Sequence, residues 1–412
     1  MVKKLGNTAI ANVKGTIWIM FFAQMISMIG FSSIFPFLPL YVHSLGTATS
    51  LSEELCVGLV FSGQAFTMMI ASPIWGALAD RWGRKIMVER AMFGGAIILT
   101  LMAFVRSAEE LVALRMLQGL ISGTIGAGNA LVAAAVPREQ TGYAMGLMQA
   151  GMGLGLGLGP MIGGAVADAF GYRAAFYITG AMLTIAGLVV GLGIREHFVP
   201  PFTTKNKRPV PLGRWRSMLS VPGIILVYSL RFINQMGRII YIPILPMFVL
   251  SLIDNPDQGN SFTGLVIGVS SAATALFSVF FGRLGDRVGH RRILIALLMG
   301  CFLLFMFQSF IWTGWQLFAL QALFGMALGG IVPSISALLA NQTPRGDEGA
   351  VYGLDNSITS GARVVGPMLG VIISVWLGMR AVFVAAALLY LIAGLVAIRG
   401  LLRPKCRKGD IL

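Results

Sequence analysis

Gly76-Ala77-Leu78-Ala79-Asp80-Arg81-Trp82-Gly83-Arg84-Lys85 returns at an offset of 206 residues as Gly282-Arg283-Leu284-Gly285-Asp286-Arg287-Val288-Gly289-His290-Arg291. Four shorter strings repeat in the same order at an offset of 207. Pro36-Phe37-Leu38-Pro39 recurs as Pro243-Ile244-Leu245-Pro246, and Pro137-Arg138 as Pro344-Arg345. Gly159-Pro160 recurs as Gly366-Pro367, and Gly171-Tyr172-Arg173 as Gly378-Met379-Arg380. Several of these strings are charge or turn breaks between long apolar runs. The repeat therefore gives the chain two matching halves with the same order of elements.

Composition says what buries the apolar runs. Of 412 residues, 56% are hydrophobic and only 11% are charged, against about 25% charged in soluble domains. With a mean hydropathy of +0.81, a soluble globular enzyme is excluded. A membrane-crossing helix needs about 20 mostly apolar residues. Cutting the chain at its charged and turn-rich breaks gives twelve such spans: 16–42, 55–79, 86–105, 110–136, 140–168, 173–194, 218–250, 262–283, 291–312, 315–340, 348–376 and 380–400. The expected fold is all-α and integral to the membrane. Residues 1–194 form an N-terminal six-helix bundle, 195–217 a basic linker, and 218–412 a C-terminal six-helix bundle. Six spans separate each repeated pair, so the halves are parallel, related by an axis along the membrane normal. Such repeats hold their substrate between the halves near the midplane.

A net charge of +15 would suggest a nucleic-acid partner in a soluble protein; here its placement matters more than its sum. With the N-terminus in the cytoplasm, 24 of the 31 Lys and Arg fall on cytoplasmic segments, with Arg90 counted as a flank of span 3. Three (Arg106, Arg173, Arg380) lie outside, and four (Arg115, Arg231, Arg238, Arg363) lie within spans. This asymmetry orients the chain with both termini cytoplasmic and removes the case for nucleic acid. Lys3, Lys4 and Lys14 precede the first apolar run without a small-residue cleavage site, which reads as a retained first span. Cys56, Cys301 and Cys406 lack metal-ligand spacing and give no disulfide framework.

With these motifs in place, the sequence resembles the major facilitator superfamily over essentially its whole length, in its twelve-helix drug:proton antiporter branch. The stretch from Gly76 to Lys85 is similar to that family's first signature, with a degenerate copy around Asp286 and Arg287. Arg115-Met116-Leu117-Gln118-Gly119 resembles the second. Gly153, Gly155, Gly157, Gly159, Pro160, Gly163 and Gly164 in span 5 resemble the antiporter signature, and Gly30 to Pro39 the proline motif of span 1. The resemblance implies a proton-coupled exporter of amphiphilic compounds working by rocker-switch alternating access. It implies a gate made by Gly76, Asp80, Arg81, Gly83, Arg84, Lys85, Asp286 and Arg287, and span 5 packed against span 8.

The residues support specific roles. Asp80 at the cytoplasmic mouth can meet its basic neighbours and the positive N-terminal end of span 11, forming a latch that protonation weakens. A charge at the bilayer centre costs at least about 2.5–3.5 kcal/mol, so it normally faces protein or a wet cavity. Arg115 is thus a candidate for proton or substrate coupling, with a fixed tie to backbone carbonyls as the alternative. Asp355 is the clearest acid in the C-terminal hydrocarbon zone, two turns from Arg363 on one helix face. It is the leading proton carrier there; a permanent pair with an arginine would remove that role. Arg231, Arg363, Asn234, Gln24, Gln118, Phe31 and Phe35 are candidate cavity residues, with Phe37 and Tyr41 as further lining. Glu89 and Arg90 read as an ion pair, and His43 as an interfacial histidine.

One departure from the antiporter pattern matters: span 1 carries no acid for a cationic drug, and the cavity has excess arginine. Neutral, amphiphilic or anionic substrates are therefore expected as well, including an anionic metabolite, siderophore or lysolipid. The glycine run lacks the G-x-G-x-x-G register of a nucleotide loop, and no nucleophile–base pair, metal cluster or Walker loop occurs. The expected partners are a small-molecule substrate, protons and membrane lipid, in a monomer of the bacterial inner membrane. No cofactor or metal is expected beyond the proton gradient as energy source.

Overall fold

A computed structural model describes residues 2–121, 123, 128–129, 131–132, 136, 140–194, 223–343 and 348–401; side chains of 2–14, 77, 80, 81, 141, 142, 348–350, 352 and 401 are outside that description. The expected linker 195–217 also lies outside it. Every described regular element is helical. Span 1 is two helices, Val2–Ser32 and Leu38–Leu45, broken where the Pro36–Pro39 string removes backbone donors. Span 7 breaks at its copy of that string, into Ile224–Ile239 and Leu245–Leu250. Spans 2 and 3 are Glu53–Trp82 and Arg84–Met102, and span 4 begins as Ala108–Ile121. Spans 5 and 6 are Thr141–Phe170 and Tyr172–Gly193. Spans 8 to 12 are Gly259–Val288, His290–Ser309, Gly314–Gln342, Glu348–Leu377 and Met379–Leu401.

The repeated strings sit at corners. Gly83 (φ 97°) and Gly289 (φ 99°) turn spans 2 into 3 and 8 into 9; Gly171 (φ 84°) and Gly378 (φ 85°) turn spans 5 into 6 and 11 into 12. A side chain strains the backbone at such angles, which is why the glycine of each string returns in its copy. Trp82, Trp312 and Trp376 are strongly exposed beside these corners, where an indole suits the headgroup level.

The halves meet along two seams, span 5 with span 8 and span 2 with span 11. The two seams match under the repeat: Gly264 of span 8 abuts Pro160 and Met161 of span 5, and Gly58 of span 2 abuts Met368 and Val371 of span 11. On the face opposite the termini, the second helices of spans 1 and 7 also touch. That face is closed. Toward the termini the seam helices part: among the described residues, no atom stands within 4 Å of a methyl placed on Gly76, Gly353 or Gly361.

Candidate functional site

The glycine-rich signature of span 5 has two faces, separated by helical geometry. Gly155, Gly159 and Gly163 recur every four residues and abut span 1, at Met25–Ile29, Ile29–Ser32 and Ser33. The Ser32 hydroxyl donates to Gly155 O at 3.1 Å and to Met28 O at 2.8 Å. Gly157, Pro160 and Gly164 line the other face, against Gly268, Gly264 and Asn260 of span 8. The expected packing against span 8 is therefore half of the arrangement. The repeat reproduces the other half: Gly366 meets Met236 and Ile239, and Gly370 meets Ile240, joining span 11 to span 7.

The gate residues are partly described. Gly76 is exposed, and the side chains of Asp80 and Arg81 lie outside the described residues. Arg84 is half-buried at the start of span 3. Lys85 donates to Gly191 O of span 6 at 2.6 Å and lies 3.6 Å from Glu89. Arg90 is therefore not Glu89's partner. Its guanidinium stacks 3.4 Å over the ring of Trp75, whose indole donates to Leu120 O at 2.6 Å. Asp286 is exposed and pairs at 3.2 Å with His290, one turn on; Arg287 is exposed beside it.

Arg115 is fully buried inside the N-terminal half. Its Nε donates to Val60 O at 3.2 Å, and its two terminal nitrogens donate to Gln118 Oε1 at 2.6 Å and Gln64 Oε1 at 3.1 Å. These acceptors are neutral and come from spans 2 and 4. Gln118 is thus bound to Arg115 within the half rather than lining the cavity. Arg115→Met removes the cation but orphans the Gln64 and Gln118 amide oxygens, each costing about 1–3 kcal/mol when buried. Thermal unfolding in detergent should show a lower midpoint. Adding Gln64→Leu and Gln118→Leu should restore most of it, because an apolar replacement of both partners is nearly neutral. If the triple variant also transports, Arg115 is a tie; if it is stable and inactive, Arg115 takes part in coupling.

Other expected lining residues divide in the same way. Phe37 and Tyr41 are buried, packed on Tyr172 and Phe176, because span 1 packs along span 6 within the N-terminal half. Phe31 and Phe35 are half-buried and pack edge-on at 5.4 Å. Gln24 is buried against Gly128, with both amide atoms unpartnered. Asn234 is buried with an unpartnered Oδ1.

The charged site lies on spans 7 and 11. Arg231 Nε stands 3.2 Å from Asp355 Oδ1, close enough for an ion pair but off line for a hydrogen bond. Both side chains keep some exposure, 21% and 13%. Arg363 is exposed at the middle of span 11 and within electrostatic reach of Arg238 and Arg231. An exposed guanidinium at that depth faces wet space rather than hydrocarbon. Asp355 thus meets the arginine of span 7, not the Arg363 of its own helix face. Sequence reading missed Asp168, whose acceptors meet the first turn of span 8; its signal was a lone acid ending an apolar run. Among the described residues no group of three His, Cys, Asp or Glu could hold a metal.

Comparison with known proteins agrees with this architecture. The profile of the Major Facilitator Superfamily matches residues 20–230 and 227–410. Multidrug resistance protein MdtG of Enterobacter lignolyticus is 36% identical over 362 residues, spanning 88% of this chain and 86% of that protein. MdtG of Salmonella newport is 36% identical over 358 residues, spanning 87% and 88%. Among solved structures, a point mutant of the nucleoside transporter NupG superposes with a TM-score of 0.77 at 14% identity, covering 93% of this chain and 99% of that one. A bacterial homologue of the human lysosomal transporter Spinster gives 0.74 at 14% identity, covering 93% and 96%. With the profile on both halves and the MdtG relatives along most of its length, the chain belongs to the major facilitator superfamily, as an integral, multi-pass membrane transporter and not an enzyme.

Proposed function

We propose that the protein is a proton-coupled secondary exporter of amphiphilic compounds, working by rocker-switch alternating access. In this reading it lies in the bacterial inner membrane as a monomer, with both termini cytoplasmic. Its partners are substrate, protons and lipid, with no resident cofactor. The Asp355–Arg231 pair carries the proposal: a carboxylate held by an arginine, partly accessible, on the helices that form the C-terminal wall of the site. A proton on Asp355 releases Arg231, and a neutral or cationic substrate group competes with that proton. Such competition is what antiport requires. The names of the MdtG relatives support drugs as substrates.

A second reading has its own observation: Arg231 and Arg238 lie within electrostatic reach of Arg363, while Asp355 pairs with Arg231. An anionic substrate would displace Asp355 from Arg231, and an inside-negative potential would drive its export without proton exchange. Proteoliposomes loaded with ethidium or carboxyfluorescein separate the two. A pH gradient that drives ethidium uphill with counter-flow of protons supports antiport. Carboxyfluorescein flux that follows voltage and ignores the pH gradient supports the second reading. If no proton flux accompanies any substrate, coupling is absent.

A further inference from the structure

Asp168 ends span 5 on the face opposite the termini, and its carboxylate crosses to the other half. Oδ1 accepts from the Asn260 side-chain amide at 2.6 Å and from Asn260 N at 3.3 Å; Oδ2 accepts from Ser261 N at 2.7 Å. Asn260 and Ser261 are in the first turn of span 8, Gly259–Val288. The backbone amides of a first turn have no partner in their own helix, and their summed dipole favours an anion. One acid thus supplies three acceptor contacts to groups that have no other partner in the span 8 helix. It can do so only while the halves are together here, because donors and acceptor belong to different halves.

The matching seam lacks the device. At the repeat offset, Asp168 corresponds to Val375 and Asn260 to Glu54. Val375 offers no acceptor, and in place of a bonded contact there is a cavity of about 260 Å³ lined by His43, Glu54, Val57, Val371, Ser374 and Val375, among others. His43 pairs with Glu53 beside it, within its own half. A general packing requirement would treat the two seams alike. Asp168 does not.

We propose that Asp168 is the latch of the gate opposite the termini, which is the outer gate in the proposed orientation. Its ionised carboxylate on the first turn of span 8 stabilises the state open toward the termini, and opening the other way breaks these bonds. Hydrogen bonds to a charged group carry enough energy that losing them should move the closed-to-open ratio by about tenfold or more.

Spin labels at Leu51→Cys and Asp254→Cys, with Cys56, Cys301 and Cys406 replaced by alanine, report the separation of the halves on this face. Leu51 and Asp254 are exposed and belong to opposite halves. Pulsed dipolar spectroscopy of the purified full chain should show the long-distance population rising about tenfold in Asp168→Ala. Asp168→Asn, which keeps an acceptor and loses the charge, should fall between, and Asp168→Glu should return toward the parent. Glu109→Ala is the control. Glu109 accepts from Ala48 N at 3.0 Å and Thr49 N at 2.8 Å on the same face but inside one half; its loss should leave the distances unchanged. Should Asp168→Ala fold poorly, Asn260→Ala removes the 2.6 Å bond alone and should shift the same way by less. Unchanged distances in folded Asp168→Ala or Asn260→Ala, or an equal shift in Glu109→Ala, overturn the latch. The distances need no substrate or proton gradient, so a failure of the export proposal would leave this test intact.

Discussion

Gly164→Val should stop transport while leaving both halves folded. A methyl on Gly164 falls on the backbone carbonyl of Asn260, and one on its counterpart Gly264 falls on the carbonyl of Pro160. Both obstacles are main chain, so no side-chain rotation relieves them. Overpacking of this kind costs about 1–3 kcal/mol or more. Here it loads the closure of the two halves and not the fold of either. A closing equilibrium shifted by that amount loses about ten- to hundredfold of its closed population. Gly163→Val is the contrasting variant. Its methyl meets the Ser33 backbone within the N-terminal half, so it should lower thermal stability and yield. Gly157→Ala meets nothing nearer than Ser271 Cβ at 3.6 Å and should transport normally. Circular dichroism and an uptake assay on the three variants decide the matter; wild-type transport by Gly164→Val would show that the seam does not need its close approach.

Asp355→Asn should abolish accumulation against a gradient while preserving downhill exchange. The amide fills the same space and keeps an oxygen facing Arg231, but it cannot carry a proton at accessible pH. Breaking a buried ion pair costs about 3–5 kcal/mol when a charge is stranded. This pair keeps some exposure on both sides, so much of that penalty is screened, and the variant should fold. Accumulation driven by a pH gradient should fall to background in proteoliposomes, with counter-flow of labelled substrate near the parent rate. Full pH-driven accumulation in Asp355→Asn would remove it as proton carrier. It would then serve to hold Arg231, as the alternative reading of an arginine-paired acid requires.

These two predictions rest on features of different legibility. The glycine seam was visible because helix–helix approach leaves a periodic trace: Gly155, Gly159 and Gly163 on one face, Gly157 and Gly164 on another. The corners carried glycines that recur at the repeat offset, whereas spans 1 and 7, read as continuous, break in the structure at their paired prolines. Partnerships between distant residues leave no such trace. Asp355 had a good partner by helix periodicity in Arg363, yet span 7 packs against span 11 and brings Arg231 closer. Gln118 and Phe37 lie on spans that a cavity between the halves could use, and only tertiary packing turns them into the N-terminal half. Asp168 was the least legible, since its partners are mainly backbone amides, which every residue but proline carries.

The unlike seams have a mechanical consequence. One edge of the closed face is bonded through Asp168; the other has a partly open cavity beside His43 and Glu54. Two plates joined this way do not part evenly. With Asp168 as the latch, the edge with the cavity opens first, and the bonded edge parts last, as the Asp168 contacts break. Solute from that side would therefore enter past spans 2 and 11, and the swing has a handedness that the duplicated architecture by itself does not impose.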